Sequence, residues 1–111
     1  MKIIRFAELV ATPWKNGGGV TREVAVYPEG AGLDTFGWRL SIADVASDGP
    51  FSRFEGVDRT LVLSDGTGLE LEINGEKTVL GSPGDMARFD GEASVLSRLG
   101  RGKIRDFNVM T

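Results

Sequence analysis

Apolar and polar residues alternate with a period of two in one short run after another along this chain. In residues 20–27, Val20, Val24 and Val26 fall on one face and Thr21, Glu23 and Tyr27 on the other. That is the spacing of a half-buried strand. Residues 38–42 repeat the pattern, with Trp38, Leu40 and Ile42 expected inward and Arg39 and Ser41 opposite. Further strands are predicted at 2–6, 59–63, 69–73, 77–80, 86–89, 95–99 and 104–110, with a short turn at 7–11. Gly, Pro, Asn and Asp punctuate the runs, as at Ser47-Asp48-Gly49-Pro50, a loop by composition, and at Ser82-Pro83-Gly84-Asp85. Asn74-Gly75 favours positive φ at both positions and so reads as a two-residue hairpin turn. Ser64-Asp65-Gly66-Thr67-Gly68 reads as a second, longer hairpin. No window of a dozen residues holds a 3.6 period, so helix should be minimal. The fold class is all-β, an antiparallel β-sandwich or barrel.

The totals narrow the functional classes. A chain of 111 residues suits one domain, residues 1–111, with a single modest core. Net charge is −3 with acids and bases interleaved, so no basic stripe offers a footprint for nucleic acid. No run approaches the ~18 apolar residues of a membrane helix, and no apolar signal-peptide segment follows the first residues. The expected address is the cytoplasm. Cysteine and histidine are both absent. This excludes disulfides, thiolate nucleophiles, Cys or His metal sites and any triad built on imidazole. Neither a cofactor nor a specific transition metal is expected, since the remaining carboxylates and carbonyls suit Mg²⁺ or Ca²⁺ better.

One stretch stands apart: Pro13-Trp14-Lys15-Asn16-Gly17-Gly18-Gly19. Three consecutive glycines cost backbone entropy, so the loop must need unusual dihedrals or a close approach. Their N–H groups could form a nest for an anion, with Lys15 adding charge. The plainer reading is a surface turn plugged by Trp14.

The middle of the chain resembles a cupin jelly roll. The residues concerned are Thr60-Leu61-Val62-Leu63, a Gly-rich turn, Leu69-Glu70-Leu71, Asn74-Gly75, and Pro83-Gly84-Asp85 ahead of Met86-Ala87-Arg88-Phe89. Metal-binding cupins carry histidines beside the first and last of these pieces, where this chain offers only carboxylates such as Glu55, Asp58, Asp90 and Glu92. A closer match spans the chain. The Pro13 to Gly19 loop with Thr21 and Glu23, then Phe36-Gly37-Trp38-Arg39-Leu40-Ser41-Ile42-Ala43, resemble successive motifs of the HutD/Ves family. So do Gly49-Pro50-Phe51-Ser52 with Phe54, and Arg105-Asp106-Phe107-Asn108-Val109-Met110. The resemblance implies a bacterial, cytoplasmic cupin-type β-sandwich tied to histidine-utilisation operons in one branch and to stress-induced expression in the other. It implies no established reaction. It also implies binding of a small pathway metabolite such as formylglutamate, which moderates the pathway. Family members continue past the DFN segment into a second, smaller barrel. A homodimer is therefore expected, a neighbouring chain replacing that barrel through residues 104–110 or 2–6.

Within the matched motifs the candidate ligand-binding residues are Trp14, Lys15, Asn16, Gly17, Arg39, Ser41, Arg59, Asp106 and Asn108. Period two puts Arg39 with Ser41, and Asp106 with Asn108, on common faces. Those faces are either the solvated sides of a sandwich or the polar groups of a ligand cup. Trp14, Trp38, Phe51 and Phe54 could wall such a cup, but core packing is the expected reading for Trp38 and for the two phenylalanines. Arg39 or Arg59 could grip a carboxylate with two parallel hydrogen bonds. The partner that follows is a small anionic metabolite. The alternatives are a protein-interaction module, or a metal-independent enzyme acting on acylated amino acids with Asp106 and Lys15 as the proton-transfer pair.

Overall fold

The computed structural model describes residues 3–111. Ten strands follow a single 3₁₀ turn, Phe6–Glu8: β1 (Ala11–Pro13), β2 (Gly19–Tyr27), β3 (Trp38–Val45), β4 (Gly49–Pro50), β5 (Asp58–Asp65), β6 (Leu69–Ile73), β7 (Glu76–Leu80), β8 (Met86–Asp90), β9 (Val95–Leu99) and β10 (Ile104–Met110). They form two antiparallel sheets, one of six strands in the order β1-β2-β3-β10-β5-β8 and one of four in the order β4-β9-β6-β7. The all-β sandwich read from the sequence is the fold observed. Among the described residues no helix is long and apolar enough to cross a membrane.

The inner faces pack Leu61 and Leu63 of β5 against Leu69 and Leu71 of β6, all four without exposed surface. Val45, Leu80, Val95 and Ile104 extend this core. It fills one end of the sandwich. Toward the other end the inward positions turn polar, with Ser41, Arg59, Asp106 and Asn108 all buried.

Phase is where sequence and structure part. The buried face of β3 carries Ser41, Ala43 and Val45, not Trp38, Leu40 and Ile42. Trp38 is 39% exposed on the outer face, stacked on Tyr27 at 6.1 Å, so its expected core position is corrected. Leu40 and Ile42 share that outer face with their cross-strand partners Val109 and Phe107. With apolar residues on both faces, hydrophobicity could not choose the inner one. In β2 the register slips between Glu23 and Ala25, so Thr21 opposes the inward Ala43 whereas Tyr27 opposes the outward Trp38. Such a bulge flips the parity of every later residue. It moves Val20 and Val26 to opposite faces, not the shared one expected.

Connections also differ. Asn74 (φ 49°) and Gly75 (φ 86°) make the predicted two-residue turn, closing Ile73 onto Glu76. Residues 64–68 make no hairpin, because β5 and β6 lie in different sheets. They are a corner that carries the chain across the sandwich. Gly66 allows it: a Cβ there would sit 2.8 Å from the Ile104 side chain and 2.9 Å from the Lys103 carbonyl oxygen. Gly49–Pro50, expected as loop, pairs with β9. Of the expected strand 2–6, Lys2 lies outside the described residues; residues 3–5 belong to no strand and Phe6 opens the 3₁₀ turn. β10 is hydrogen-bonded on both sides, to β3 and to β5. It therefore has no free edge on which a neighbouring chain could add a strand.

Candidate functional site

The β1–β2 connection explains its own composition. Pro13 pairs with Val20, and the Trp14 N–H donates to the Gly19 carbonyl at 2.9 Å, so the loop between is tightly closed. Gly17 takes φ 74°. Its N–H donates to the Trp14 carbonyl at 3.0 Å, and the Gly18 N–H donates to the Asn16 side chain at 2.8 Å. The Gly18 carbonyl accepts from Ala46 and Ser47. A Cβ on Gly19 would meet the Asp44 carbonyl oxygen at 2.5 Å and the Trp14 ring at 3.2 Å. These glycines serve close approach, and the amides of Gly17 and Gly18 are spent inside the loop, leaving neither to make an anion nest.

The result is a fixed tryptophan. Trp14 Nε1 donates to Thr21 Oγ1 at 2.7 Å, and its ring meets Phe51 edge-on at 6.0 Å and 80°. Trp14 and Phe51 wall a cavity of about 550 Å³ at the polar end of the sandwich. Phe54, Leu33, Pro13 and Pro50 add apolar wall, Lys15, Asn16 and Ser52 also line it, and Ala43, Arg59, Asp106 and Asn108 come from the inner face of the large sheet. The volume suits a small metabolite.

Strand geometry sets the floor. Asn108 opposes Ser41 on one side and Leu61 on the other, and Arg59 enters from β5 beside it. Arg59 is 6% exposed. One guanidinium nitrogen donates to the Ser52 carbonyl at 3.1 Å and another to Asn108 Oδ1 at 3.2 Å. Its carbon lies 5.1, 5.4 and 5.8 Å from the ring centres of Phe89, Phe54 and Phe51. Asn108 in turn donates from Nδ2 to Asp106 Oδ1. Arg59 and Asp106 are thus joined through an amide and form no ion pair within 4 Å. Two atoms of this chain of contacts, Arg59 Nε and Asp106 Oδ2, are buried with no hydrogen-bond partner.

Burial dominates the electrostatics. Desolvation pulls Arg59 down to about 10, with the Asp106 charge pulling the other way and the nearby Arg39 adding to the fall; it remains a cation at neutral pH. Desolvation pushes Asp106 up to about 7, against the Asn108 hydrogen bond and the Arg59 charge. The floor can therefore offer a guanidinium to an anion and a carboxyl group that exchanges its proton near neutrality.

Six of the nine sequence candidates meet here: Trp14, Lys15, Asn16, Arg59, Asp106 and Asn108. Ser41 is buried next to the floor on β3 without lining the cavity. Arg39 is held by Glu23, its Nε donating at 3.1 Å. Gly17 faces a separate, smaller hollow with Asp44, Lys103 and Arg105. Leu33 and Ser52 were missed; one lies in an irregular loop and the other contributes a backbone carbonyl, neither of which side-chain chemistry announces. Among the described residues no three His, Cys, Asp or Glu side chains converge as metal ligands.

Comparison with known proteins agrees with this architecture. The HutD family profile matches residues 6–111. An uncharacterised 21.2 kDa protein in the hutC 3′ region of Pseudomonas putida is 42% identical over 110 residues, covering 99% of this chain and 57% of that protein. Protein Ves of Escherichia fergusonii is 36% identical over 99 residues, 88% of this chain and 51% of its own length. The chain thus spans about half the length of these curated relatives. HutD from Pseudomonas fluorescens superposes with a TM-score of 0.88 at 44% identity, over 96% of this chain and 58% of that one. At 21% identity, likeness to a Cupin_2 domain from Enterobacter cloacae (TM-score 0.66) extends the fold alone. With a profile match across nearly its whole length and relatives above 35% identity, the chain belongs to the HutD family.

Proposed function

We propose that this chain is a non-enzymatic binding protein for a small anionic metabolite, seated in the cavity between the sheets. One observation carries the reading. Arg59 keeps a desolvated guanidinium on the floor of an aromatic-walled cavity with no carboxylate in contact and with its Nε unpartnered. A buried cation without a counter-ion is costly, and a ligand carboxylate would relieve that cost with a charge-assisted hydrogen bond. Lys15, also lining the cavity, supplies a second positive charge to draw an anion in. The hutC-region naming of the P. putida relative supports looking among acids of histidine breakdown, of which formylglutamate is an example. In that setting binding would moderate histidine utilisation, or a stress response, from the cytoplasm.

The test is thermal shift with formylglutamate, glutamate and short dicarboxylates. A ligand at a hundredfold excess over its Kd stabilises by about 2.7 kcal/mol. Arg59→Met, which keeps the stem among the phenylalanines, should abolish the shift, and Lys15→Ala should weaken it. A shift untouched by Arg59→Met would move the site elsewhere.

A second reading rests on Asp106, whose titration near neutrality suits a general base toward an acylated amino acid. Release of formate or acetate that Asp106→Asn abolishes would favour it over binding alone.

A further inference from the structure

The floor of the cavity constrains the ligand more tightly than a single charge does. Asp106 is 1% exposed, on an inward position of β10. Its two oxygens are not equivalent. Oδ1 accepts from Asn108 Nδ2, and Asn108 is locked in that orientation because its own Oδ1 accepts from Arg59. Oδ2 has no partner at all. Arg59 repeats the pattern in reverse, with two of its nitrogens engaged and Nε the one nitrogen without a partner. Two of the residues lining the cavity therefore carry buried polar atoms without partners, an acceptor on Asp106 and a donor on Arg59, bridged by a fixed amide. Buried polar groups without partners are rare because each costs a desolvation penalty. A pair of opposite polarity in the residues lining one cavity has the form of a recognition code.

Resting on the anion-binding reading above, we propose that the cavity selects a small carboxylic acid that also carries an N–H or O–H donor, the carboxylate pairing with Arg59 and the donor with Asp106 Oδ2. A bare carboxylate brought to Arg59 comes near Asp106, and like charges in a desolvated site repel strongly, so such a ligand must bind with Asp106 protonated. A donor placed at Oδ2 removes that conflict and satisfies the unmet acceptor. Hydroxy acids and N-acyl amino acids have the required pair of groups. Simple dicarboxylates lack the donor, and keto acids place an acceptor against an acceptor. Sites built to hydrogen-bond a ligand group reject analogues lacking it more sharply than apolar pockets discriminate by size.

Titration calorimetry at pH 8.5, where Asp106 is ionised, tests this with probes of nearly equal size: 2-hydroxyglutarate, glutarate and 2-oxoglutarate, together with N-acetylglutamate and its N-methylated form. The expected order is 2-hydroxyglutarate at least tenfold tighter than glutarate, and 2-oxoglutarate weaker still. N-acetylglutamate should lose at least tenfold on N-methylation. Asp106→Asn supplies an isosteric inversion. Asn108 requires the new amide to present its oxygen at the old Oδ1 position, so an NH₂ group replaces Oδ2. In that variant the preference for 2-hydroxyglutarate over 2-oxoglutarate should vanish or reverse. Should that variant fail to fold, the comparisons on the unaltered protein still decide. Equal affinity for glutarate and 2-hydroxyglutarate, with no effect of N-methylation, overturns the donor requirement while anion binding stands. If none of the five probes binds, both the donor requirement and the anion-binding reading fall.

Discussion

Asp106 shows how one enclosed side chain links stability to pH. Its carboxyl group is stripped of water and receives a single neutral donor from Asn108. Burial raises its titration from 3.8 to about 7. The folded value lies above the unfolded one, so the native state retains a proton that the unfolded chain releases. The associated stability is fully present below the unfolded value and is lost as pH rises through about 7; above that the charge is a constant penalty. Asp106→Asn keeps an acceptor for Asn108 and carries no charge. It should raise unfolding stability at pH 8 by roughly 2–4 kcal/mol, with the gain fading toward pH 4. Urea unfolding of both proteins at pH 4.5, 6 and 8 measures this, and a gain of equal size at all three would show that the cause is not the titration. Asp44 works in the other direction. Hydrogen bonds from Arg105 and Arg22 hold its carboxyl below the usual range, and both guanidinium groups in turn lie over the Phe6 ring.

Among the elements, the β1–β2 loop places Trp14, one wall of the cavity. Gly19→Ala would drive a methyl group into the Asp44 carbonyl and the Trp14 ring. A loss of roughly 1–3 kcal/mol is expected, together with displacement of Trp14 from Thr21. Thermal melts give the first, and Trp14 emission in a Trp38→Phe background gives the second; an unshifted emission would mean that Trp14 is not set by the glycine. Elements of this kind mark the limit of what a sequence reveals. The Asn74-Gly75 turn was legible because its chemistry is local, and the strands because period two survives in each. Phase was not legible, since Leu40 and Ile42 lie on an outer face that is itself apolar. The β2 bulge left no mark in composition, and the 64–68 corner differs from a hairpin only in which sheet receives the next strand. Asp106 and Asn108 could be paired by spacing on one strand. Their meeting with Arg59, far away in sequence, is a property of register alone.

Across the whole molecule, protection should follow sheet position. β10 is flanked by β3 and β5 and buries alternate residues from Ile104 to Met110. β7 is a sheet edge, and its residues are exposed up to Leu80. Hydrogen exchange should therefore be slowest in β10 and its partner positions of β3 and β5, and fastest in β7 and β1. Comparable rates in β7 and β10 would contradict the strand order. That strand order has a further consequence for how the protein is made. Among the described strands β10 comes last but sits inside the large sheet, so β3 and β5 emerge from the ribosome with the edges they will share with it unpaired. Until residues 104–110 are released, the large sheet is in two separate pieces, β1-β2-β3 and β5-β8, with exposed edges, a state open to mispairing. The same strand brings Asp106 and Asn108. A nascent chain thus has walls without a floor, and the cavity is completed in the same step that closes the sheet.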